Sequence, residues 1–377
     1  MANITAEEST ATYKILMSWN KSLDSHEAAE NSSNSSQCSV LVGLDWLFIG
    51  QPVFLWIIFV LGVIENVFVL SVFCLHKSRC TVAEIYFGNM AAADLLLVSG
   101  LPFWAIFISK EFYWPFGQFM CKAVNALIYM NLYSSIYFLM MVSIDRYLAL
   151  VKTMSIGRSR RPFCAKLNCF IIWVFALLNS MPTWLYRRVD FSKKLNKTSC
   201  LLFYPSEEWT VANHWLLNIV GFLIPLYIIM FCTVQIIKAL RDSSMQKLKE
   251  IQTEKKAATL VIIVLLVFII CWLPFQLVTF LDTLYIYKVI AGCTVERVLT
   301  IATQISSYCA YSNSCLNPML YVIVGNHFRK KSKELYKELL AGRYWRRNTN
   351  ASLAKDSSVD TVRTSISMGC PINKLVS

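Results

Sequence analysis

The sequence has 377 residues, 56% hydrophobic and 16% charged, with a net charge of +13 and a mean hydropathy of +0.49. A water-soluble chain of this length must cover itself with polar side chains, so the composition excludes an ordinary soluble domain and points to lipid around much of the chain. In that setting an excess of Lys and Arg marks cytoplasmic loops, and no nucleic-acid partner is implied.

In chain order, residues 1–51 are mostly polar and carry sequons at Asn3, Asn31 and Asn34, read as an extracellular glycosylated segment. No cleavable leader is evident there, so the first apolar run is expected to do the targeting. Seven apolar runs follow, at 53–75, 83–108, 119–151, 164–186, 211–240, 257–285 and 298–324. Each approaches or exceeds the roughly 20 residues that cross a bilayer. Lys77, Arg79, Lys152, Arg158, Arg160, Arg161, Arg241 and Lys247 fall in one set of loops, which belongs inside. An odd number of spans then puts the N-terminus outside, with a fourth sequon, Asn196, in the second outer loop. The expected fold is an all-α membrane protein, a seven-transmembrane helix bundle (52–325) with a short amphipathic helix on the cytoplasmic membrane surface (326–341). A disordered cytoplasmic tail (342–377) is expected to complete the chain.

Of 13 cysteines, Cys38, Cys121, Cys200 and Cys293 fall on the outer side. Four cysteines allow three pairings. One of them joins Cys121 to Cys200 and leaves Cys38 for Cys293.

Asn66, Asp94, Asn131, Ser135, Asn313 and Asn317 lie within spans, where polar side chains are costly. Interhelical hydrogen bonding is one reading of the amides and hydroxyl. A carboxylate ringed by Asn131, Ser135, Asn313 and Asn317 also makes an oxygen cage for a small cation such as sodium, and no other cofactor is expected. Pro102, Pro182, Pro225, Pro274 and Pro318 each interrupt an apolar run and permit a bend.

Asn66, the AAAD stretch ending at Asp94, Asp145-Arg146-Tyr147, Trp173, Pro225, CWLP (271–274) and NPMLY (317–321), in this order on seven spans, resemble the rhodopsin-like G-protein-coupled receptors. Within that class LPFWAI, MNLYSSI, IICWLPFQ, TFLDTL, AYSNSCLNP and RTSIS look like bradykinin receptors, closer to the second subtype than the first. The resemblance implies a plasma-membrane receptor for a kinin peptide, coupled to Gq, phospholipase C and calcium release, and regulated by receptor kinases and arrestin. A receptor for another basic peptide, of angiotensin or chemokine type, is the alternative. An enzyme is disfavoured by only four histidines and no zinc or nucleophile motif. A transporter lacks its expected repeats.

The resemblance also assigns roles. Asp282 would receive a cationic ligand, with the acids Glu296, Glu207 and Glu208 adding attraction at the mouth and Trp104, Asn125, Tyr129, Arg187, Phe275, Gln304 and Tyr308 as wall residues. Asp145, Arg146 and Glu254, the last expected to start the sixth helix, would clamp two helices at the inner face. Trp272 would sense the filled pocket, with Ile136, Pro225 and Phe268 as the packing connector and Asn317, Pro318 and Tyr321 as the inner hinge. Ser357, Ser358, Thr361, Thr364, Ser365 and Ser367 would take phosphate. Three departures stand out. Thr300 replaces a second acid expected near the outer end of the last span. Tyr129 stands where the subtypes carry Lys or Ser. The cysteines expected directly after the amphipathic helix are missing, and AGRYWRRN (341–348) stands there instead.

Overall fold

Once lipid replaces water, each backbone N–H and C=O must find a partner within its own segment, and long apolar runs become helices. The computed structural model describes residues 45–76, 80–151, 162–192, 197–242 and 248–340. They form α1 (Asp45–Leu75), α2 (Val82–Ser109), α3 (Gly117–Leu150), α4 (Pro162–Tyr186), β1 (Arg187–Ser192), β2 (Lys197–Leu202) and α5 (Glu207–Trp215). A π-helical stretch (Leu216–Leu223) then leads into α6 (Ile224–Asp242), followed by α7 (Leu248–Ile286), α8 (Cys293–Val324) and α9 (Asn326–Leu340).

Among the described residues six rods are long and apolar enough to cross a membrane by length and composition, with α5, the π stretch and most of α6 forming one of them. The seventh, α8, is more polar because it presents Thr303, Gln304 and Ser307 to outward cavities and Ser314 and Asn317 to Asp94. Two starts differ from the sequence expectation. Helix α1 begins at Asp45 rather than residue 53 and continues through Pro52. Helix α7 begins at Leu248, so Glu254 lies inside it rather than at its start.

Helix α2 starts where it does because Thr81 and Glu84 form a capping box. The Glu84 N–H donates to Thr81 Oγ1 (3.3 Å) and the Thr81 N–H to Glu84 Oε2 (2.7 Å). Gly62 lets α1 lie close to α2, since a Cβ there would come 2.7 Å from Val98 Cγ1. Asn66 ties α1 to α8, its Nδ2 donating to the Gly62 and Ser314 carbonyls at 2.9 Å each.

Pro225 is buried at the second position of α6, directly after the π stretch. A wider turn accommodates the N–H that proline lacks, and the Val220 carbonyl receives the Tyr137 hydroxyl at 3.1 Å.

An all-helical expectation omits one feature, the antiparallel β1–β2 hairpin over the outer end, with Val189 opposite Cys200. Its six-residue strands are too short to stand out among apolar runs. The Cys121–Cys200 disulfide ties the hairpin to α3, and the Trp114 N–H donates to the Thr198 carbonyl at 2.9 Å.

At the inner end α9 folds back against α1 and α2. Phe328 sits edge-on to Phe68 and Phe73. Lys331 pairs with Glu84, and His76 meets Glu334 at 2.9 Å.

Candidate ligand-binding site

The helices surround a cavity of about 150 Å³. Trp104 reaches it from α2, Asn125 and Tyr129 from α3, Arg187 from β1, and Phe275 and Asp282 from α7. A second, smaller cavity beside it, about 70 Å³ by the same measure, shares Trp104 and holds Gln304 and Tyr308. Glu296 lines neither of these two cavities and accepts a hydrogen bond from the Tyr285 hydroxyl at 3.2 Å. Glu207 and Glu208 are exposed in the first turn of α5.

The main cavity carries opposite charges on different elements. Asp282 is the acid in its wall. Arg187 is 7% exposed; its Nη1 donates to the Cys200 carbonyl at 3.3 Å, while its buried Nε has no hydrogen-bond acceptor. Burial holds Arg187 below the usual guanidinium value, yet an arginine stays protonated at physiological pH. A buried cation with an unused donor is suited to a ligand carboxylate. Asn125 turns its amide inward, donating to the Cys121 carbonyl at 2.7 Å.

Sequence reasoning missed His214, Thr303, Ser307 and Tyr311 in this wall. The last three share an i, i+4 stripe on α8 that spacing alone could have revealed. His214 had no such signal, because only the fold brings it to Asp282, 4.0 Å away.

Trp272 forms part of the floor and is 2% exposed. Below it the rings continue as Trp272–Phe268 (6.0 Å) and Phe268–Phe222 (6.4 Å), both stacked, while Phe275 meets Trp272 edge-on from the cavity side. Ile136 belongs to the same buried cluster. The rings therefore form one packed connection from the floor along α7 and across to the π stretch.

Deeper still, Asp94 collects donors from two other helices: Asn131 Nδ2 at 2.8 Å, Ser314 Oγ at 2.9 Å and Asn317 Nδ2 at 3.1 Å. Asn131 also reaches Ser135 (3.2 Å), and Asn317 reaches Asn313 Oδ1 (3.2 Å). The buried Asn317 Oδ1 has no hydrogen-bond partner. A carboxylate, two hydroxyls and an orphaned amide oxygen are hard oxygen donors of the kind a small cation takes. Ser314, which lies between Asn313 and Asn317 in sequence, was not anticipated.

At the C-terminal end of α3, Arg146 Nη2 binds Asp145 Oδ2 at 2.7 Å with both side chains largely buried. Tyr147 packs on Phe231 of α6. Pro318 is buried within α8. Thr233 of α6 is buried with its hydroxyl unpaired. The side chains of Glu254 and Tyr321 lie outside the described residues. So do Asn3, Asn31, Asn34, Asn196, Cys38, Ser357, Ser358, Thr361, Thr364, Ser365 and Ser367. Cys293 is disulfide-bonded to a partner that also lies outside them.

An outward cavity, a tryptophan floor and an Asp-Arg-Tyr inner end on seven rods define a transmembrane signalling receptor. The family model of the 7 transmembrane receptors (rhodopsin family) matches residues 65–321, and the chain belongs to that family, the class A G-protein-coupled receptors. Among its relatives, the B2 bradykinin receptor of Homo sapiens is 56% identical over 342 residues, 90% of this chain and 87% of that one. The B2 bradykinin receptor of Rattus norvegicus is 56% identical over 334 residues, 88% and 83% of the two chains. The B1 bradykinin receptor of Homo sapiens is 40% identical over 289 residues, 76% and 82% of the two. The family makes the chain a multi-pass membrane receptor and not an enzyme.

Proposed function

We propose that the chain is a cell-surface receptor for kinin peptides that couples to a Gq-type G protein, activating phospholipase C and releasing calcium. The observation that carries this reading is the pairing of Asp282 with the buried Arg187 in one aromatic-walled cavity. That charge pattern fits a peptide with a cationic side chain and a free carboxylate, and the similarity to bradykinin receptors names the peptide class.

In this reading the N-terminus is extracellular and glycosylated, Cys38 is the partner of Cys293, and the tail is cytoplasmic. Its clustered serines and threonines take phosphate from receptor kinases and then attract arrestin. The peptide's cation meets Asp282 and its carboxylate meets Arg187. Filling the cavity presses on Trp272, the Phe268–Phe222 stack shifts, and α7 swings at Pro274. At the inner face Arg146 leaves Asp145 and the clamp that Glu254 completes, which opens the surface for the G protein. A ligand shifts such an equilibrium only through its different affinities for the two states, so a few kcal/mol at the floor is enough. A sodium ion held by Asp94, Ser135, Ser314 and Asn317 would neutralise the buried carboxylate and favour the resting arrangement.

Calcium release on kinin addition in transfected cells tests the proposal. A silent receptor at normal surface expression, challenged with several kinin variants, would overturn it in favour of another basic peptide.

A further inference from the structure

His214 closes the α5 side of the main cavity. Its Nδ1 lies 3.1 Å from Thr283 Oγ1. Thr283 spends its single hydroxyl proton on the Thr279 carbonyl at 3.0 Å. In the contact with His214 its oxygen therefore accepts, and Nδ1 carries the imidazole proton. That leaves Nε2 as the other ring nitrogen, and it faces Asp282 Oδ2 at 4.0 Å. In neutral His214 the nitrogen nearest this carboxylate carries a lone pair. A second proton on Nε2 converts that arrangement into an N–H directed at an anion, with Nδ1–H still anchored on Thr283.

We propose that His214 and the ligand's cationic group compete for Asp282, so that docking of a basic peptide expels a proton from His214. The inference rests on the kinin reading and adds a residue that tunes which ligands bind and at what pH. A guanidinium does not deprotonate in this range, so the imidazole is the group that yields, releasing its proton to solvent.

The other charged or titratable groups lining the cavity are Arg187 of β1, Tyr129 of α3 and Tyr311 of α8, and Tyr285 of α7, hydrogen-bonded to Glu296 of α8, lies within electrostatic reach of Asp282. The helix of His214 carries Glu207 and Glu208 in its first turn. Phenols stay neutral and carboxylates ionised between about pH 6 and 7.4, so the imidazole is the side chain of this set whose ordinary range, near 6.5, falls in the window.

The sign follows from linkage. The free receptor binds up to one more proton than the complex, the fraction growing as pH falls toward about 6.5 and below, so affinity falls as pH falls. For complete exclusion and an ordinary imidazole, lowering the pH from about 7.4 to 6.0 weakens binding by about fourfold.

The test is competition binding on intact-receptor membranes at these two pH values, with bradykinin and with its analogue lacking the N-terminal arginine. Wild type should lose about fourfold for bradykinin, and His214→Asn less than twofold, at unchanged site number. Thr283→Val, which removes the anchor but keeps the imidazole, should shrink the effect while leaving neutral-pH binding nearly intact. Equal pH slopes in wild type and His214→Asn, or a flat wild-type response, would overturn the inference and leave the kinin reading standing. No saturable kinin binding at about pH 7.4 despite surface expression would overturn the kinin reading and this inference with it.

Discussion

Lys331 of α9 and Glu84 of α2 form a 2.8 Å ion pair although both side chains are less than a tenth exposed. The same Glu84 oxygen holds the Thr81 N–H, so one carboxylate caps a membrane helix and anchors the surface helix. Removing one partner of a buried pair strands the other charge, at a cost of about 3–5 kcal/mol. Lys331→Met should therefore lower the thermal midpoint of the purified receptor clearly, whereas Lys330→Met, at an exposed position, should not. Equal midpoints for the two variants would show that the pair contributes little.

The second contact of α9 is pH-dependent. The His76 hydrogen bond, with Lys330 and Lys331 nearby, holds the Glu334 carboxyl below the usual carboxylate value. A carboxylate lowered in the folded state contributes stability above its unfolded pKa of about 4.3, and loses it as pH falls through the lower folded value. Amide hydrogen exchange along α9, corrected for the intrinsic rate, should quicken below about pH 4. Glu334→Gln should exchange faster at neutral pH and show less of that acid-dependent change.

Two glycines of α1 give opposite expectations. A Cβ at Gly62 would sit 2.7 Å from Val98 Cγ1, whereas one at Gly50 meets nothing within 4 Å. Gly62→Ala should destabilise the α1–α2 contact, since overpacking costs about 1–3 kcal/mol. Gly50→Ala should be neutral or stabilising by up to about 1 kcal/mol through helix propensity. Thermal unfolding of the two variants side by side decides the matter.

Asp282 is 15% exposed, enough shielding for its charge to matter more than a surface acid. Asp282→Ala should weaken an agonist with an N-terminal arginine by about 2 kcal/mol or more, some thirtyfold. An agonist lacking that arginine should lose much less. The same loss for both peptides would remove Asp282 from the contact.

The Asp145–Arg146 pair predicts a signalling phenotype. Asp145→Asn keeps the shape and removes the charge that holds Arg146 at 2.7 Å. Basal inositol phosphate should rise at matched expression, and Glu254→Ala should do the same. Basal levels that stay at wild type in both would argue against an ionic clamp.

The rods were legible because lipid imposes one simple rule: apolar length, with internal hydrogen bonding. Asp94 and its amides stood out for the same reason, since a polar side chain among apolar ones needs an explanation. The hairpin did not stand out, because its six-residue strands depend on a disulfide and on α3 rather than on a pattern of their own. Glu296 was read as part of the mouth by sign of charge alone, and its hydrogen bond to Tyr285 could not be read from composition. His214 was missed because pairing a residue on α5 with one on α7 is a matter of helix rotation, which sequence spacing leaves open.

That rotation has its source in the π stretch at Leu216–Leu223. One additional residue in a turn winds everything beyond it by about 100°. The half of this rod before Pro225 therefore keeps its own azimuth, offset from the half that follows it. Excising a single residue from the stretch would restore regular winding and swing His214 and Leu217 off the cavity wall, while Ile229 and Ile236 stayed in place. Which side chains this rod presents to the cavity is thus set by chain length as much as by side-chain identity.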